Sequence, residues 1–294
     1  MRKTRRKILA MALGLMVVAG LALAVLQPPA IASQGPGLLN RPYHADIDGQ
    51  PVTGLHRNLS GLTRSDRTGT LFSVINRPPQ IVELTESGTL LRVIALDGFR
   101  DPEGITHVAG DIFLIADEGE QTLHRVIVSE GSTRIVRNPA DDIATGLFAL
   151  HNLGIEGISW DSARNRLFLA QEMLPMRVLM LQNFDDEAHP LADGYRMTEW
   201  HPDTLSSRVT LDLSSLTLHE ETGHLLLLSH LSGTIVEYDP TGTMVGQQSL
   251  TAGHGGLSQS IAQAEGIAIG PDGTIFVVSE PNLFYRFRPG APPR

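Results

Sequence analysis

An all-β fold, a five-bladed β-propeller, is what this sequence predicts, and three observations carry the prediction. Five segments repeat one pattern of strand, turn and strand. Their polar starting residues, Ser60, Glu103, Glu156, Ser214 and Glu265, follow one another at steps of 43, 53, 58 and 51 residues. The 294-residue chain holds 29 glycines and 18 prolines, which suits many turns and argues against a helical bundle.

The five segments are Leu59–Asn76, Pro102–Asp117, Ile155–Glu172, Leu213–His230 and Ala264–Glu280. Each reads as a hairpin because its centre favours chain reversal, as in Asp66-Arg67-Thr68-Gly69 or Pro271-Asp272-Gly273. A third strand follows each, at Gln80–Leu84, Thr122–Val128, Met176–Leu181, Thr234–Tyr238 and Leu283–Phe287. A fourth fits before the next repeat, as at Leu90–Ala95. Four strands in about 50 residues is the size of a propeller blade. A solenoid would need shorter and more uniform repeats. A six-bladed ring is the alternative if the first segment hides a degenerate repeat. Closure calls for a strand within Tyr43–Leu55 joining the blade that ends at Phe284–Phe287, which hides two sheet edges.

Ahead of the propeller, placed at residues 42–290, the sequence divides into a leader at 1–27 and a linker at 28–41. MRKTRRK carries five basic residues, and Ile8 to Leu26 is a run of 19 apolar residues. A charged start before an apolar run reads as an N-terminal hydrophobic helix, either signal peptide or membrane anchor. This places the body on the periplasmic side of the cell membrane, anchored or secreted, touching the membrane only through this segment. Without the five basic residues the chain has 18 basic against 32 acidic residues. So acidic a body disfavours nucleic acid as a partner and is compatible with cations. There is no cysteine, which excludes a disulfide framework, thiolate metal sites and a cysteine nucleophile.

Each hairpin begins and ends on a polar residue, and the two lie equally far from the turn: Ser60/Asn76, Glu103/Asp117, Glu156/Glu172, Ser214/His230 and Glu265/Glu280. Residues equidistant from a turn are cross-strand neighbours about 5 Å apart, and a bulge shifts the pairing by one residue. Ring closure then gathers five such ends on one face. Three are doubly acidic, and like charges placed opposite one another destabilise a sheet. Six residues are therefore candidate ligands of a divalent cation: Glu103, Asp117, Glu156, Glu172, Glu265 and Glu280. Oxygen donors with one histidine and no thiol suit calcium or magnesium better than zinc. The structural alternative is that repeated Glu-Gly marks a strand start, its carboxylate bonding backbone of the neighbouring blade. His230 is the candidate for a general base. His254 lies in a Gly-rich loop, and Asp117-Glu118-Gly119-Glu120 is a dense acidic turn. No Gly-x-Ser-x-Gly, Walker, dinucleotide or His-Glu-x-x-His motif occurs.

The repeated Glu-Gly units, the stretch PEGITHVAGDIFLIADEGEQTLHRV and above all VVSEPNLFYRF resemble the SdiA-regulated family of bacterial exported proteins. The resemblance runs from about Arg57 to Arg288. It implies a β-propeller distantly related to NHL-repeat propellers, with a calcium site and no established reaction. A wider resemblance is to calcium-dependent propeller hydrolases and lactonases. It would make Glu103, Glu156 and Glu265 ligands, with Asn76 as an amide candidate. Ser60 and Ser214 depart from that pattern. Two functions follow as expectations. One is a calcium-binding scaffold of the cell envelope, with a protein or small molecule as its ligand. The alternative is a calcium-dependent lactonase or esterase with the metal on the axial face.

Overall fold

The computed structural model describes residues 36–147, 154–173, 175–184, 189, 194–203, 205 and 210–290. The leader at 1–27 and the linker up to residue 35 lie outside the described residues. Among the described residues no helix is long and apolar enough to cross a membrane.

Five sheets form the ring. The chain enters through β1 (Tyr43–Pro51). Blade 1 is β2 (Leu59–Arg64), β3 (Leu71–Asn76), β4 (Pro79–Leu84) and β5 (Leu90–Asp97). Blade 2 begins with β6 (Pro102–Ala109), β7 (Ile112–Asp117) and β8 (Thr122–Ile127). Two short strands follow: β9 (Arg134–Val136) pairs in parallel with β5, and β10 (Asp142–Ala144) completes blade 2 beside β8. Blade 3 is β11 (Ile155–Asp161), β12 (Arg166–Gln171), β13 (Arg177–Gln182) and β14 (Arg196–Trp200). Blade 4 is β15 (Ser215–His219), β16 (His224–Ser229), β17 (Thr234–Tyr238) and β18 (Met244–Ser249). Blade 5 is β19 (Ala264–Ile269), β20 (Ile275–Ser279) and β21 (Leu283–Pro289), with β1 as its antiparallel outer strand. The five-bladed ring and its expected closing strand are therefore both present.

The apolar core is five layers rather than one. Each gap between neighbouring blades holds its own buried cluster, such as Phe72, Ile81, Phe113 and Ile115 between blades 1 and 2. The second strand of each blade is buried along nearly its whole length, since it is flanked by a strand on each side and covered on both faces. With the apolar surface spent between blades, the axis is left to the first strands. These follow in order around the ring, β2 beside β6, then β11, β15 and β19, which returns to β2. Hydroxyls stitch them together. Thr63 accepts from the His107 N–H at 3.1 Å, Thr106 from Trp160 at 3.0 Å and Ser159 from Leu218 at 3.0 Å. These bonds satisfy edge amides that would otherwise be buried unpaired.

The Gly of the Glu-Gly that opens blades 2, 3 and 5 is explained by this crowding. A Cβ on Gly157 would lie 2.8 Å from both Leu216 N and Ser215 Cα of the next blade. On Gly266 it would lie 2.7 Å from the Gly61 carbonyl carbon. The start of the described chain is also fixed to the ring. A 3₁₀ turn at Leu38–Asn40 caps the fully buried Glu237 carboxylate, which accepts from Leu38 N at 2.8 Å, Leu39 N at 2.7 Å and His224 at 2.7 Å.

Two stability predictions follow from these contacts. Gly157→Ala should cost about 1–3 kcal/mol in chemical denaturation, because the neighbouring backbone must move. Gly131→Ala, with nothing within 4 Å, should stay within about 0.5 kcal/mol of the parent. Glu237→Ala should lose about 3–5 kcal/mol, since it strands the Leu38 and Leu39 amides and the His224 ring nitrogen that the buried carboxylate satisfies; an unchanged denaturation midpoint would refute the capping role.

Candidate metal centre

The axial cup is built from one local irregularity repeated around the ring. In blades 2, 3 and 5 the first strand carries a β-bulge whose extra residue is Glu103, Glu156 or Glu265. In blade 1 the bulge residue is Gly61, at φ +51°. A bulge re-aims a side chain and bends its strand. Here it sends the glutamates into a cavity of about 380 Å³ at one end of the ring axis.

The bulge also changes the register. Pro102 stands opposite Asp117, Ile155 opposite Gln171 and Ala264 opposite Ser279. The expected directly opposed pairs are thus displaced, and the cup-facing position at the hairpin end comes one residue later. Its occupants are Asn76, Glu118, Glu172, His230 and Glu280, all of which line the cavity. Backbone bonds mark the equivalence: Glu118 N to Asp101 O at 2.9 Å, Glu172 N to Gly154 O at 3.1 Å and Glu280 N to Gln263 O at 3.0 Å.

Asp117 is the correction. The structure does not place it in the cup, because a shift of one residue turns a strand side chain to the opposite face. It is fully buried behind the rim, where it accepts from the N–H groups of Arg100 at 2.7 Å and Asp101 at 3.2 Å. Burial would raise its pKa, but His124 and those two amides outweigh burial and hold it low. Asp117 therefore fixes the backbone that presents Asp101. Glu118 takes the cup position that the sequence had assigned to Asp117.

A third set of residues lies two positions before the Glu or Ser that opens each repeat. Asn58, Asp101 and Gln263 line the cavity there. Asp212, at the same position in blade 4, sits beside Glu172 and His230. Asp101 and Asp212 escaped the sequence reading; the signal was their shared offset before the second and fourth repeats. The two serines at the Glu position tie blades together instead. Ser60 Oγ donates to Glu103 O at 3.0 Å and Ser214 Oγ to Ala264 O at 2.7 Å. His254 lies away from the cup, in a loop packed beside Tyr43 and Gln248.

Seven carboxylates line the cavity, against His230 and a largely exposed Arg77, 3.4 Å from Asp101. Burial drives Glu103 up to about 8, although Asn76 donates to it at 2.6 Å. Burial and the charges of Glu103, Glu118, Glu172 and Glu265 push Glu156 well above the carboxylate range. Burial likewise raises Glu265 to about 7, and it raises Glu172. His230 is raised, chiefly by Asp212. Two sets of three donors converge with all ligand atoms within 4.8 Å: Asp101, Glu103 and Glu118, and Glu172, Asp212 and His230. Donors on opposite sides of a calcium ion lie about 5 Å apart, so the oxygen-only set fits calcium. Asp101 Oδ1 is buried there without a hydrogen-bond partner.

The raised carboxylates have a signed consequence. Between the unfolded value near 4.5 and the folded values of about 7 and 8, the folded chain holds more protons than the unfolded chain. The melting temperature of chelator-treated protein should fall as pH rises from 4.5 to 8, and Glu265→Gln should flatten that slope. A stability that rises across this window would contradict the crowded cup.

Solved structures of similar fold include a luciferin-regenerating enzyme, with a TM-score of 0.53 and 14% identity, covering 84% of this chain and 96% of that one. A calcium-binding protein, regucalcin, from Agrobacterium tumefaciens has a TM-score of 0.52 and 14% identity, covering 84% of this chain and 93% of that one. At such identity the likeness establishes the fold alone. A sequence model of the SdiA-regulated family matches residues 37–288, nearly the whole ring. The chain belongs to the SdiA-regulated family of β-propellers.

Proposed function

We propose that the cup is a calcium site and that the protein works as a calcium-dependent binding protein of the cell envelope. The observation that carries this is the convergence of seven carboxylates on one cavity with almost no basic compensation. The cost of that arrangement is offset if a divalent ion occupies it. The likeness to a calcium-binding propeller supports the reading. So does the charged and apolar leader at 1–27, which implies export. Asp101, Glu103 and Glu118 would hold the ion, with Glu156 adjoining. The open cavity beyond them leaves room for a ligand bearing oxygen donors.

A second reading, a lactone or ester hydrolase, draws on one observation. His230 faces the cavity with Nδ1 2.9 Å from the buried Asp212 carboxylate. A bound divalent ion supplies Lewis-acid polarisation of a carbonyl. His230 would then accept a proton, with the Asp212 carboxylate beside it to stabilise the charged ring.

Calcium content and melting temperature, measured as purified, after chelation and with calcium or magnesium restored, test the first reading. Calcium at about a hundred times its Kd should add about 2.7 kcal/mol to stability. Glu103→Gln should abolish that gain. Absence of bound metal together with an unshifted melting temperature would sink it. Turnover on a lactone and ester panel, lost in His230→Gln with the fold intact, would favour the hydrolase.

A further inference from the structure

The donors of the cup divide into two groups of different chemistry. Toward blade 2 they are oxygens only. Toward blades 3 and 4, Glu172 and Asp212 are joined by a ring nitrogen of His230. Asp212 is fully buried and half satisfied. Its Oδ1 accepts from Ser229 Oγ and, at 3.1 Å, from Leu231 N. Its Oδ2 has no hydrogen-bond partner.

His230 Nδ1 lies 2.9 Å from that oxygen and 3.6 Å from Glu265 Oε1. It too is buried without a hydrogen-bond partner, so the two atoms are close but misaligned for a shared proton. Leaving a buried charged group unsatisfied is costly. Two donors of one ion with bonds of about 2.1 Å stand about 3 Å apart at a right angle and about 3.4 Å apart at the tetrahedral angle, and the 2.9 Å found lies at the right-angle end of that range. Imidazole beside carboxylates suits first-row transition ions, whereas calcium takes oxygen. Ser229 and the Leu231 amide supply the outer support that fixes a ligating carboxylate.

We infer that Glu172, Asp212 and His230 form a second cation site, which takes a first-row transition divalent ion such as zinc in preference to calcium. The contrast with an adjacent calcium site rests on the proposed function; the zinc site itself does not. A ring nitrogen given to the ion cannot also serve as a base, so the assignment stands against the hydrolase reading.

The test uses the full untagged chain, stripped by chelation and loaded with zinc, calcium or both. Metal content is read by mass spectrometry and the coordination sphere by cobalt(II) absorption. One zinc per chain should survive excess calcium, and cobalt should give a band that reports a nitrogen ligand. His230→Ala should remove the zinc and the band while leaving the calcium-induced rise in melting temperature. Ser229→Ala, which keeps every donor, should weaken zinc by about 10–100-fold. Glu103→Gln should spare zinc and lose calcium. The inference is overturned if zinc is not retained, if calcium displaces it one for one, or if His230→Ala retains it unchanged. Zinc retained by a chain that binds no calcium would refute the calcium reading alone.

Discussion

The close approach of five first strands around one axis is the constraint from which the rest of the structure follows. Backbones this near leave no room for a Cβ at Gly157 or Gly266. The same strand starts carry the bulges of blades 1, 2, 3 and 5, each of which places an extra residue on one side of its pair. That extra residue is the cup glutamate in three blades. Packing and chemistry thus share one dipeptide: the glycine admits the neighbouring blade, and the glutamate before it is delivered to the axis.

The electrostatics follow from where the apolar surface went. Because each core layer lies between two blades, the axis keeps its polar groups and stays open at its end. The hairpins of blades 2, 3 and 5 contribute carboxylates from two positions each, and ring closure concentrates them where burial and mutual repulsion act together. Glu156, which feels charge from both donor groups, joins the two halves of the cup. Blades 1 and 4 break the acidic pattern with serine, and there a hydroxyl bonded to the next blade does the joining. The repeat position is thus a serine that ties blades together in blades 1 and 4, and a glutamate delivered to the cup in blades 2, 3 and 5.

Much of this was legible along the chain. Repeats near fifty residues, turn dipeptides and apolar runs specify the blades because each unit is a local hairpin whose hydrophobic face needs a neighbour. The closing strand was legible too, since the last repeat lacks its fourth strand. Five of the six expected ligands reach the cup. Asp117 does not, because symmetry about a turn ignores the bulges, and blade 2 carries a second one between His107 and Ala109. A single inserted residue leaves the hydrophobic pattern almost unchanged yet reverses which side chain faces the axis.

What the sequence determined by itself, then, was the number of blades, the order of their strands and the concentration of acid at the hairpin ends. Those properties are local or additive: turn chemistry, strand patterning and composition act within a few residues. Only the tertiary structure decided which carboxylates meet. Asp101 with Glu118, and Glu172 with Asp212 and His230, belong to groups whose separation is fixed by bulge register and by the distance between blades. The blade 2 group depends on bulge register within one hairpin, whereas the group of Glu172, Asp212 and His230 spans blades 3 and 4 and meets only when the ring closes.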